Sequence, residues 1–80
     1  MNKINNFQTS DLILCTTICY FGYCVESIIK TNPKKVVFVI KRDKKLDNLV
    51  RKYWNHKLLV EPMIFFNCLK EIKTRIYSID

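Results

Sequence analysis

The sequence predicts an α+β domain: an antiparallel β-hairpin packed against three helices, in the order α-β-β-α-α. Three observations predict it. The run Val36-Val37-Phe38-Val39-Ile40 is an apolar strand held between lysine clusters. Residues 44–55 and 61–76 repeat their apolar positions with helical spacing. The chain has 80 residues, 49% of them hydrophobic, with one glycine and two prolines, which is enough for one economical core and no more. The whole chain, 1–80, therefore reads as a single small basic domain.

The opening Met1 to Gln8 is polar, with Ile4 and Phe7 as apolar anchors, and is either frayed or a short edge strand ending at Phe7 that makes the sheet three-stranded. Thr9-Ser10-Asp11 supplies N-cap chemistry for a first helix from about Asp11 to Phe21. That helix is apolar nearly all round, so it is buried on more than one side or packs on a partner. Gly22 stands where a left-handed C-terminal cap belongs.

Tyr23 to Lys30 alternates as a partly exposed strand, with Tyr23, Val25 and Ile29 on one face and Glu26, Ile28 and Lys30 on the other. Thr31-Asn32-Pro33-Lys34 is a turn by composition. The hairpin then pairs Tyr23–Lys30 with Lys35–Lys41. Both faces of the second strand are apolar, Val36, Phe38 and Ile40 against Val37 and Val39, so both are expected to be covered.

Arg42-Asp43 ends that strand and caps a second helix, about Lys44 to Asn55, whose core stripe is Leu46, Leu49, Val50 and Tyr53. Its other face carries Lys44, Lys45, Asn48, Arg51, Lys52 and Asn55. Leu58-Leu59-Val60 is an extended link, and Pro62 opens a third helix at its first position. There Phe65, Leu69, Ile72 and Ile76 form the core stripe with Met63, Phe66 and Cys68 beside them, while Asn67, Lys70, Glu71, Lys73, Thr74 and Arg75 face outward.

Enzyme templates find no support. The single glycine cannot build a phosphate-cradling loop. His56, the only imidazole, follows a helix end, where it caps carbonyls or meets solvent. Cys15, Cys19, Cys24 and Cys68 contain no CxxC pair, so they read as buried, reduced small hydrophobes with no metal site and no cofactor. With a polar opening, no cleavage pattern, and an apolar run Leu12–Val25 broken by Thr16, Thr17 and Gly22, no signal peptide or membrane span is expected, and a cytoplasmic protein is.

Fourteen Lys and Arg against seven Asp and Glu give a net charge of +7, which favours polyanionic partners. Nine of the fourteen cations, Lys34, Lys35, Lys41, Arg42, Lys44, Lys45, Arg51, Lys52 and Lys57, fall between positions 34 and 57, so this segment is the candidate nucleic-acid-binding rim. Asn48 and Asn55 on the same helix face could reach base edges. Trp54 either stacks on an unpaired base, closes the bottom of the core, or joins the first helix in a protein contact. The expected function is accordingly a non-enzymatic accessory protein binding nucleic acid or a nucleoprotein complex. The alternative is a protein-binding adaptor or inhibitor, with a homo-oligomer also open.

Six segments carry a resemblance: Phe7-Gln8-Thr9-Ser10-Asp11-Leu12, Phe21-Gly22-Tyr23, Val37-Phe38-Val39, Tyr53-Trp54-Asn55, Val60-Glu61-Pro62 and Leu69-Lys70-Glu71-Ile72-Lys73. On these, the chain over residues 7–77 resembles a family of small bacterial and phage proteins known only as a domain of unknown function. The resemblance implies a prokaryotic or mobile-element setting and brings no catalytic residues.

Overall fold

The computed structural model describes residues 6–79; the anchor expected at Ile4 lies outside them. The elements are β1 (Asn6–Thr9), α1 (Leu12–Tyr20), β2 (Val25–Asn32), β3 (Lys35–Lys41), α2 (Lys44–Trp54) and α3 (Pro62–Tyr77). The order is thus β-α-β-β-α-α, not α-β-β-α-α. Residues 6–9 form the edge strand, and it runs past Phe7 to Thr9 because Gln8 and Thr9 continue the ladder opposite Val39 and Phe38.

The sheet order is β1-β3-β2, both pairings antiparallel, so β3 is the central strand and β1-α1-β2 is a split βαβ unit. Phe38 and Ile40 of β3 join Leu14, Cys15 and Ile18 of α1, Val25, Leu46 of α2 and Ile72 of α3 in one core. Val39, though only 6% exposed, is outside that core. It sits between Gln8 and Ser27 on the sheet's second face, where Val37 is half-buried and its neighbour Ile29 exposed. The helices therefore pack on one face of β3; on the other, Val39 is buried between Gln8 and Ser27 and Val37 is half-buried, so the expectation that both faces would be covered holds at Val39 and only in part at Val37.

The facing of β2 also differs from expectation. Val25 pairs with Ile40 but Ser27 pairs with Val39, so Glu26 is an extra residue that reverses the alternation. Ile28, opposite Phe38, consequently packs on the core with Val25, and Ile29 turns outward. A second slip at Thr31 precedes the tight Pro33-Lys34 turn, in which Asn32 Oδ1 accepts the Lys34 N–H at 2.8 Å. Pro33 fixes a negative φ and so excludes the left-handed turns that normally match strand twist.

α1 is the central helix, touching β1, α2 and α3. Five consecutive residues, Leu14 to Ile18, are buried, so the reading of a helix enclosed on several sides holds. The buried threonines satisfy their hydroxyls within the helix, Thr16 donating to Leu12 O and Thr17 to Ile13 O, each at 2.8 Å. Asp11 is the N-cap, its Oδ1 accepting from Ile13 N and Leu14 N. At the other end Tyr23 N donates to Ile18 O and Gly22 N to Cys19 O, with Gly22 at φ +105, the left-handed stop expected there. α3 begins with Glu61 as N-cap and Pro62 at its first position, and Tyr20 OH accepts the Glu61 N–H at 2.8 Å, tying α3 to α1.

Candidate nucleic-acid interface

β3 delivers the chain to Asp43, whose Oδ1 accepts the Leu46 N–H at 2.7 Å and so starts α2. The Leu46 amide, then the Tyr23 hydroxyl at 2.9 Å, hold the Asp43 carboxyl below its ordinary pKa. Leu46 is fully buried, and Leu49, Val50 and Tyr53 pack against the core. Helical geometry then forces Lys44, Lys45, Asn48, Arg51 and Lys52 onto the opposite face, where all five are exposed.

Asp47 is the one carboxylate within α2, and it is engaged: Arg42 Nε reaches Asp47 Oδ1 at 2.9 Å and Nη2 reaches Oδ2 at 3.4 Å. This exposed pair adds little stability. Its effect is to offset the charge of Arg42 and leave the outward face of α2 cationic. Arg51 Nη1 donates to Asn48 Oδ1 at 3.2 Å, which orients both side chains along that face.

Beside this face lies a groove of about 330 Å³ lined by Phe21, Lys45, Asn48, Leu49, Lys52 and Leu58. Phe21 is 41% exposed at the end of α1. An exposed ring flanked by two ammonium groups and an amide suits a stacked base with its phosphates. Sequence reasoning missed Phe21 by counting it with the apolar surface of α1; the signal was its place immediately before the Gly22 stop, where the helix surface ends.

Other expected rim residues lie elsewhere. Lys34 and Lys35 stand at the hairpin turn, and Lys41 lies six positions beyond Lys35 along the extended β3, roughly 20 Å, so the turn does not join the start of α2. Lys41 is exposed at the near end of β3, and Lys57 is exposed past the end of α2. Trp54 is not a lid on the core: it is 59% exposed and stands edge-to-face on Tyr53, ring centroids 5.0 Å apart. It lies nine positions after Lys45, about two and a half helical turns, which places it on the opposite flank of α2.

The cysteines are not uniformly buried. Cys15 is buried, Cys19 and Cys68 are half-buried and Cys24 is exposed. Cys19, Cys24 and Cys68 line a cavity of about 180 Å³ with Glu71 and Arg75, while His56 lines a different one with Thr17, Tyr53 and Phe65, so no cysteine and histidine share a cavity there. Its hydrogen bond to Cys19, then burial, pushes the Cys15 thiol far up; the same bond lowers Cys19. Among the described residues no three His, Cys, Asp or Glu are placed to hold a metal ion, and no helix is long and apolar enough to cross a membrane.

Comparison with curated proteins and with solved structures finds no match to either. A family model does match, over residues 4–78, and the chain belongs to the family it describes, Domain of unknown function (DUF5659).

Proposed function

We propose that the protein binds nucleic acid, or a nucleoprotein complex, through the outward face of α2 and the Phe21 groove beside it. It would act as a non-enzymatic accessory protein in the cytoplasm of a prokaryote or in a mobile-element system. The observation that carries the reading is the grouping of Lys44, Lys45, Arg51 and Lys52 with Asn48 on one exposed helix face, with Asp47 tied to Arg42. A local cost adds support. Lys44 and Lys45 stand in the first turn of α2, where the helix dipole disfavours positive charge. Local rules are broken most often at functional sites.

Recovery of nucleic acid with the tagged full chain, compared with and without nuclease treatment, tests the reading. Co-purifying DNA or RNA removed by nuclease supports it, and the absence of any nucleic acid counts against it. A protein contact through α1 and Trp54 has less support, because the run Leu14 to Ile18 of α1 is buried in the domain's own core.

A further inference from the structure

α3 has two stripes. On one, Ile72 is buried in the core and Ile76 packs against it, while Phe65 and Leu69 are half-buried. Met63, Phe66, Lys70, Lys73 and Tyr77 follow one another at intervals of three and four residues on the outer side. That is the spacing at which one helix meets another along a seam. All five are exposed, Met63 at 66%, Phe66 at 51% and Tyr77 at 78%. Large apolar side chains left exposed at seam spacing mark an interaction surface.

The charge pattern says what kind of helix fits. Apolar residues occupy the two ends of the stripe, and lysines its middle. Lys70 Nζ lies 5.6 Å from the Phe66 ring centroid, so the cation stands over the apolar part of the seam and not away from it. Asn67 and Thr74 flank the lysines on one side, and Glu71, the one acid within α3, sits off the stripe. A second copy of this chain would set Lys70 and Lys73 against their own kind, in parallel or antiparallel pairing, with +7 on each partner. Like charges across a seam oppose association.

We propose that the outer face of α3 docks a helix of a different protein, one that presents apolar side chains to Met63, Phe66 and Tyr77 and Asp or Glu to Lys70 and Lys73. This surface is separate from the face of α2 and stands or falls apart from nucleic-acid binding. The aromatic and methionine ends supply anchoring contacts, and the paired charges set register and partner choice.

The test uses the full chain and two labelled synthetic helical peptides of about three heptads, leucine at the outer seam positions and either Glu or Lys at the central two. Fluorescence anisotropy is expected to show saturable binding of the Glu peptide and not of the Lys peptide. Met63→Ala with Phe66→Ala should weaken binding by about tenfold or more, and Lys70→Glu with Lys73→Glu should reverse the peptide preference. These side chains are exposed, so unchanged circular dichroism melts keep the comparison on the contact. Equal binding of both peptides, binding of neither, or self-association of the chain that Phe66→Ala abolishes would overturn the proposal.

Discussion

The Tyr23 hydroxyl donates to Asp43 Oδ1 at 2.9 Å, and the same oxygen caps α2 through Leu46 N. One carboxylate thus fixes the start of the basic helix against the link between α1 and β2. The orientation of the candidate interface depends on this contact.

Because folding favours the charged form of Asp43, the unfolded chain takes up its proton first as pH falls. Its stabilising contribution is complete above the ordinary carboxylate value of 3.8 and is lost as pH falls through the lower folded value. Asn is also a good N-cap, so Asp43→Asn should keep most of the stability at neutral pH while flattening the acid limb of a denaturation series. An unchanged acid limb in that variant would show that other carboxylates carry it.

His56 ends α2 at φ +59, its N–H donating to Tyr53 O and that of Lys57 to Lys52 O. This is the glycine-favouring cap geometry, occupied here by a residue with a Cβ. His56→Gly should stabilise the fold by about 0.5–1 kcal/mol, raising the melting temperature by roughly 2–8 °C. A lower melting temperature would mean that the imidazole contributes contacts that outweigh the strain.

The bulge at Glu26 makes neighbouring isoleucines unequal. Ile28 packs on the core opposite Phe38, whereas Ile29 is 44% exposed. Ile28→Ala should cost about 2 kcal/mol and Ile29→Ala less than about 1, as read from urea unfolding midpoints. The reverse ranking would place the strand in the unbulged register.

What the sequence made legible follows from where a single periodicity governs. α2, the core stripe of α3, the Gly22 stop and the hairpin were all readable, because each depends on neighbours within a few positions. Ile28 and Ile29 were misassigned because counting by twos assumes an unbroken ladder, and nothing in Glu26 itself announces a bulge. Met63 and Phe66 were set beside the core stripe and not on the outer face because hydrophobicity does not say which side of a helix the domain covers. Lys34 and Lys35 were joined to Lys44 and Lys45 because they are close in sequence. An extended strand is the element that carries near neighbours farthest apart.

The most direct measurement is the salt dependence of binding to short DNA or RNA by the full chain, compared with two double reversals, Lys45→Glu/Lys52→Glu and Lys34→Glu/Lys35→Glu. If the face of α2 engages about four phosphates, log affinity for duplex DNA should fall with log salt at a slope of about −3 to −4. The α2 reversal should lower affinity and reduce that slope by about 2, while the hairpin reversal leaves the slope nearly unchanged. Absent or salt-independent binding, or equal losses from both reversals, would contradict the assignment of the interface to α2.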